Sequence, residues 1–130
     1  MVICSTIMKA LLTLFVIPLF ALIISISVDD VVSAIRNGDA TEVAKYFDNT
    51  IEITLPDKSA SYSKSQAEVV LRDFFTTNVV KAFEVQHKGE KAGSQFCIGS
   101  LQTKSGVYRT TFLLKQKGDR QVMQELRFEK

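Results

Sequence analysis

The hydrophobic pattern divides the chain into an unbroken apolar leader and a longer part in which apolar and polar residues alternate. Lys9 is followed by an uncharged run, ALLTLFVIPLFALII, at residues 10–24. Ser25-Ile26-Ser27 then supplies small residues at the spacing that signal peptidase requires. The pattern predicts a signal peptide over residues 1–27 that is cleaved after its last residue, Ser27.

A cleaved leader predicts an exported protein, either periplasmic or secreted. An apolar run of roughly 15–18 residues is shorter than the ~20 that span a bilayer comfortably, which favours cleavage. The alternative is an uncleaved segment that anchors the protein to a membrane, and the start codon is open between Met1 and Met8. After cleavage, residues 28–130 are expected to form one domain without a stable membrane span.

Helical spacing of apolar residues predicts two short helices at the start of this domain. The apolar positions of the first helix recur three and four apart: Val28, Val31, Val32 and Ile35. Gly38 ends it, because glycine enters the left-handed conformation without steric cost. Asp39 caps the second helix and Glu42 completes a capping box. Its apolar stripe is predicted to reach Phe47, and Asp48-Asn49 to end the helix.

A third helix is predicted over SKSQAEVVLRDFFTTN. Ser63 caps it, Gln66 occupies the third helical position, and Asn78 ends it. Its buried stripe has helical spacing: Ala67, Val70, Leu71, Phe74 and Phe75.

Alternation with a period of two predicts strands in the rest of the domain. Ile51, Ile53 and Leu55 share one face of TIEITLP, and SASY returns after a turn at Pro56-Asp57-Lys58. Three further turn signals divide the remaining chain into four long strands that form an antiparallel meander. These signals are KGEKAG at 88–93, KSGV at 104–107 and KGDR at 117–120.

The register of the meander determines which residues face the core. A two-residue turn at Ser105-Gly106 would pair Cys97 with Leu114. Apolar residues of the last strand are expected on the same face: Val122, Leu126 and Phe128. That match needs a loop of odd length, Gly118-Asp119-Arg120, because a slip by one residue reverses the faces of a strand.

His87 is the one histidine of the chain. The alternation places it on the core face with Phe83 and Val85, at the exposed end of its strand. Gln95 would lie opposite and Gln116 nearby, so these polar residues mark the mouth of a pocket if the fold has one. A partly exposed histidine with a structural role is favoured over a catalytic one.

The opposite face of the meander is less polar than a solvated face. Its apolar residues are Phe96, Ile98, Leu113 and Met123. A contiguous apolar patch on a sheet predicts a dimer or partner surface, and scattered surface hydrophobes are the alternative.

Composition limits the binding and catalytic roles to expect of this chain. The formal charge is +2, from 16 basic and 14 acidic residues. The basic residues are scattered, so nucleic-acid binding is not expected. Cys4 leaves with the leader, and Cys97 is expected to be a small buried residue. No metal-ligand motif, phosphate-binding glycine loop or nucleophile elbow occurs, so we expect no metal, no cofactor and no catalytic constellation.

The order of elements resembles the nuclear transport factor 2-like superfamily. The run of motifs is more similar to an uncharacterised family of exported bacterial domains typical of Bacteroidota. The motifs are NGDATEVAKYFDNTIEITLP, YSKSQAEVVLRDFF, GSQFCIGSLQTKSGVYR and QELRFEK. The resemblance implies an α+β cone in which N-terminal helices pack on a curved, mainly antiparallel sheet. It also implies dimerisation through the outer sheet face and an open end that takes a small apolar ligand, but no assigned activity.

Two functional hypotheses follow. The first is an exported, non-enzymatic binding or interaction domain that forms a homodimer. The alternative is an isomerase- or lyase-like enzyme whose cone pocket takes a small apolar ligand, and it rests on fold analogy alone. The packing of four phenylalanines distinguishes the two hypotheses, because they either fill the cone or leave a cavity: Phe74, Phe83, Phe112 and Phe128.

Overall fold

The computed structural model describes residues 28–130, so the predicted signal peptide, its cleavage after Ser27 and Cys4 lie outside the described residues. Within the described part, no helix is long and apolar enough to cross a membrane.

The chain begins with two short helices, α1 (Val28–Arg36) and α2 (Ala40–Ala44). Gly38 joins them with φ of +63°, the left-handed conformation that the sequence predicts there. The Asp39 carboxylate accepts a hydrogen bond of 3.1 Å from the Glu42 N–H, which confirms the predicted cap.

The second helix is shorter than predicted. It ends at Ala44 and not at Asp48-Asn49, because Phe47 already begins a strand. The Met123 N–H donates to the Tyr46 carbonyl, and Phe47 pairs with Met123. Sheet pairing with the distant end of the chain therefore overrides the helical spacing of the apolar residues.

Two strands and a helix follow: β1 (Phe47–Leu55), β2 (Lys58–Ser63) and α3 (Lys64–Thr77). Ile51 and Ile53 are buried as the alternation predicts. Ser63 caps α3 by accepting from the Gln66 N–H. Asn78 ends the helix, since both its backbone and side-chain N–H groups donate to the Phe74 carbonyl.

The remaining chain is the predicted meander of four strands: β3 (Val80–Lys91), β4 (Ser94–Thr103), β5 (Gly106–Lys117) and β6 (Arg120–Glu129). The sheet order is β2-β1-β6-β5-β4-β3. Only the β1–β6 pair is parallel among these strands. The helices contact this curved sheet, α1 at β3 and β4, and α3 at β1 and β2. The predicted α+β architecture with a mainly antiparallel sheet is confirmed.

The β4–β5 turn lies one residue earlier than predicted. Its central residues are Lys104-Ser105, so Cys97 pairs with Phe112 and not with Leu114. The Thr103 hydroxyl accepts from the Ser105 N–H at 3.2 Å and donates to the Gly106 carbonyl at 2.7 Å, which fixes this position. The register moves by two residues, and the predicted faces of both strands are therefore preserved.

The β5–β6 register contains a bulge within β6, whereas the sequence predicts the extra residue in the loop. The turn has two residues, with Gly118 at φ of +67°, and Lys117 pairs with Arg120. The extra residue is Gln124, which separates the Leu114–Met123 pair from the pair that follows. Leu126 and Phe128 reach the core as predicted, but Met123 does so too, and Val122 lies outside the main core cluster beside Lys115.

Aromatic rings fill the space between α3 and the sheet. Phe74 stacks on Phe128 with ring centroids 4.2 Å apart and meets Tyr108 edge-on at 5.2 Å. The Tyr108 hydroxyl donates to the Asn78 side-chain oxygen at 2.8 Å, so the polar atoms in this aromatic cluster are satisfied. All four phenylalanines that distinguish a filled cone from an open one are buried: Phe74, Phe83, Phe112 and Phe128.

Candidate interaction surface

A bulge in β3 changes the face on which His87 lies. Val85 pairs with Gly99, whereas His87 pairs with Ile98, so β3 has one extra residue, Gln86, between the two pairs. His87 therefore turns to the outer face of the sheet, and its predicted place on the core face beside Phe83 is wrong. It is also not at the end of a strand, because β3 continues to Lys91.

The histidine ring packs against the apolar residues of the outer face. The ring centroids of His87 and Phe96 are 5.4 Å apart. The Phe96 ring covers Gly89 on the neighbouring strand, where a Cβ atom would lie only 2.3 Å from the ring. Glycine at this position lets the Phe96 ring lie along β3 instead of projecting into solvent.

Three of the four predicted patch residues lie together on the outer face. Phe96 pairs with Leu113, and Ile98 lies one pair further along β4. All three side chains are partly exposed. Met123 does not belong to the patch, because it is fully buried in the core. We call the observed group the outer strip: His87, Phe96, Ile98 and Leu113.

Charged residues of both signs border the outer strip. Glu84 and Arg109 are exposed on the two sides of β4, both pairing with Ser100. Arg127 forms ion pairs with Glu125 at 3.5 Å and with Glu129 at 2.9 Å. The outer face is therefore apolar at its centre and carries mixed charge around it.

The predicted pocket mouth does not assemble. Gln95 pairs with Leu114 and faces the core side, and the Gln116 amide donates to the Gly118 carbonyl in the β5–β6 turn. His87 lies on the opposite face from both. An open cleft of about 350 Å³ does lie near Gln95, and the Lys88–Asp29 ion pair of 3.1 Å lies beside it.

A second cleft, of about 320 Å³, lies between the β1–β2 turn and the end of α3. Its apolar part comes from Leu55, Val70 and Phe74, and its exposed charges come from Asp73 and the β1–β2 turn. The Phe74 ring is already stacked in the aromatic cluster. This cleft therefore lies at the edge of the aromatic cluster.

Asp48 forms a polar anchor that the sequence pattern does not predict. Its carboxylate accepts from Lys117 at 2.9 Å, from Gln124 at 3.1 Å and from the Asn49 N–H at 2.8 Å. The hydrogen bond from Lys117 is the main reason that the pKa of Asp48 falls from 3.8 to about 2. The bulge at Gln124 thus places its side-chain amide, a hydrogen-bond donor, beside Asp48 at the start of β1. Asp48 occupies the predicted end of a helix, so its position in sequence gives no sign of this role.

Cys97 is a free, buried cysteine in the described part of the chain. Burial raises the pKa of the Cys97 thiol from 9.0 to about 11, which keeps it protonated. Across residues 28–130, no group of three or more histidine, cysteine or carboxylate side chains could hold a metal ion.

Helices packed on a curved mixed sheet define the nuclear transport factor 2-like class. A protein of unknown function with this fold from Cytophaga hutchinsonii superposes with a TM-score of 0.56 and 10% identity, over 78% of this chain and 83% of its own. At that identity the likeness shows the fold alone.

The chain belongs to a family described as "Domain of unknown function (DUF4783)", whose profile matches residues 28–129. A member from Bacteroides ovatus is 29% identical with a TM-score of 0.77, covering 82% of this chain and 96% of its own. A member from Bacteroides fragilis is 30% identical with a TM-score of 0.75, covering 82% and 99%. The predicted resemblance to a Bacteroidota-type family is confirmed. No curated protein matches this chain.

Proposed function

We propose that the protein is an exported, non-enzymatic interaction domain that forms a homodimer through the outer strip. The observation that carries this proposal is the apolar centre of the outer face, where Phe96, Ile98 and Leu113 are partly exposed side by side. Exposed apolar clusters bordered by polar residues mark interaction sites.

The size of the outer face is compatible with a stable dimer. The four strands of the meander are 10 to 12 residues long. At ~4.8 Å between strands and ~3.3 Å per residue, they present a flat area of roughly 600 Å². A standard interface takes ~800 Å² of accessible surface from each partner, and side-chain relief makes accessible area larger than flat area. A dimer that covers most of this face therefore approaches the size of a standard interface.

The aromatic packing between α3 and the sheet supports a binding role over the isomerase- or lyase-like alternative. Such an enzyme needs titratable groups that converge in a pocket. Here the stacked rings of Phe74 and Phe128 occupy the space between α3 and the sheet. His87, the one histidine of the chain, lies on the other side of the sheet.

Sedimentation of residues 28–130 tests the dimer. This segment is suitable because the solved Bacteroides ovatus member is matched over 96% of its own chain, so that relative folds with little beyond the matched domain. We expect the wild-type domain to form a dimer at high concentration. Ile98→Glu should make the domain monomeric without lowering the midpoint of its thermal unfolding. Val69→Glu is the matched control, because Val69 is 51% exposed on α3, away from the outer face. A wild-type domain that remains monomeric at high concentration refutes the dimer.

Export is tested separately on the full chain produced in a bacterial host. N-terminal sequencing of the exported protein is expected to begin at Val28. An intact N-terminus in the membrane fraction would support the anchor instead, and a full-length soluble cytoplasmic protein would refute both.

A further inference from the structure

The strand pairing arranges the outer face in rows that cross β4. One row is Glu84–Ser100–Arg109, with β4 in the middle. The next two rows are His87–Ile98–Thr111 and Gly89–Phe96–Leu113. In each row the residue on β3 and the residue on β5 lie at similar distances on opposite sides of β4.

We propose that the two copies of this domain pack outer face to outer face, with a twofold axis that runs along β4. This proposal rests on the proposed homodimer and specifies its arrangement. The axis places β3 of one copy over β5 of the other, because a rotation about β4 exchanges its two neighbours. Since β3 is the edge of the sheet, the overlap comprises β3, β4 and β5 of each copy, a flat area of roughly 500 Å². Each residue of a row then faces the residue from the other end of the same row in the second copy.

Charge complementarity supports this axis. It brings Glu84 over Arg109 of the second copy, and the symmetry creates the same pair twice. Both side chains are exposed, and neither forms a hydrogen bond or an ion pair with another residue in the range 28–130. Packed sheets lie ~10 Å apart, a gap that an extended glutamate and an extended arginine bridge together. Two unpaired charges of one chain thus become partners in the dimer.

The sizes of the facing side chains also favour this axis. The row beyond Ser100 contains Ala82, Gln102 and Val107. Val107 is 57% exposed, and the axis places it over the small side chain of Ala82 in the second copy. At the other end of the strip, Leu113 faces the ring of Phe96 where it covers Gly89. Large residues on β5 thus meet small or flat surfaces on β3.

An axis across the strands gives a poorer match. Centred on Ile98, it would exchange the Ser100 row with the Phe96 row and place each strand over its own copy. Arg109 would then face Leu113 and Glu84 would face Gly89. Both charges would be desolvated without a partner, which is unfavourable.

Charge reversal tests the arrangement through the dimer dissociation constant of the domain. Glu84→Arg and Arg109→Glu each replace two attractive contacts with two repulsive ones, so each single variant should weaken dimerisation on the order of tenfold or more. The double variant E84R/R109E restores opposite charges and should return to within roughly threefold of the wild type.

The outcomes distinguish the arrangement from the proposed dimer itself. If Ile98→Glu dissociates the dimer but the single reversals do not weaken it, the outer-face dimer stands and this axis is overturned. A double variant as weak as the singles overturns the axis as well, and a monomeric wild type overturns both proposals.

A second measurement uses the axis directly. Ser100 lies on β4, so Ser100→Cys should be joined to its own copy by a short bifunctional thiol reagent, while the buried Cys97 does not react. Ser61→Cys on β2 is the control, because the β2 strands would lie at opposite edges of the dimer. Equal crosslinking of the two variants contradicts an axis along β4.

Discussion

The Asp48 anchor joins the start of β1 to the end of β5 and the bulge of β6, and Asp48→Asn isolates its charge. The asparagine retains the shape of the side chain and one acceptor oxygen, but it loses the negative charge that Lys117 contacts at 2.9 Å. The Asp48 side chain is only 12% exposed, whereas that of Lys117 is 57% exposed. The carboxylate therefore depends on these partners, while the lysine remains hydrated.

The lowered pKa of Asp48 gives the size of the stabilisation that its charge provides. A fall from 3.8 to about 2 corresponds to about 2 kcal/mol of stability at neutral pH. The exposure of Lys117 reduces this through screening, so we expect Asp48→Asn to cost between about 1 and 2 kcal/mol at pH 7. Because the folded-state pKa is lowered, the contribution is complete above the unfolded value of 3.8 and is lost as the pH falls towards 2. At pH 3 the difference between wild type and variant should be roughly half of its value at pH 7.

Urea unfolding of residues 28–130 at pH 3 and pH 7 measures this difference. Asp73→Asn is the control, since Asp73 is exposed on α3 and its replacement should change the free energy of unfolding by less than about 0.5 kcal/mol at either pH. An Asp48→Asn cost that is the same at both pH values would show that the charge is not the stabilising element. A loss of less than about 0.5 kcal/mol in the free energy of unfolding at pH 7 would show that the Asp48 contacts contribute little to stability.

Three further variants or reactions test the core. In Gly99→Ala the new Cβ would lie 2.5 Å from the Phe83 ring. The free energy of unfolding measured in urea should therefore fall by about 1–3 kcal/mol. An unchanged value would mean that the Phe83 ring moves freely. Tyr108→Phe leaves the buried Asn78 oxygen without the donor it has at 2.8 Å and should cost about 1–2 kcal/mol by the same measurement, whereas no cost would imply that another donor replaces the hydroxyl. The Cys97 thiol, with a pKa of about 11, should resist an aromatic disulfide reagent at pH 8 until urea unfolds the domain, and rapid reaction of the native protein would contradict its burial.

The parts of the fold that the sequence predicts well depend on signals within a few residues. The stop at Gly38 and the cap at Ser63 each need only one residue and the helix beside it, and both are present as predicted. The β4–β5 register was displaced by two residues because the Thr103 hydroxyl bonds two backbone groups of the turn. The sequence alone does not predict these two hydrogen bonds. The length of α2 was also wrong, since its end is determined by pairing with β6, far away in sequence.

The errors at the candidate site have one physical cause. Period-two alternation assigns faces correctly only while a ladder is regular, and a bulge exchanges the faces on one side of it. The bulge at Gln86 moved His87 from the core to the outer face, and the bulge at Gln124 moved Met123 from the outer face to the core. The outer strip therefore has a histidine where a methionine was expected, and it extends towards β3 instead of β6. That displacement brings the strip over β4, so the residues on either side of it become symmetric about that strand. A patch centred on β5 would favour an axis along β5, which lies at unequal distances from Glu84 and Arg109. The proposed match of their opposite charges depends on the strip being centred on β4.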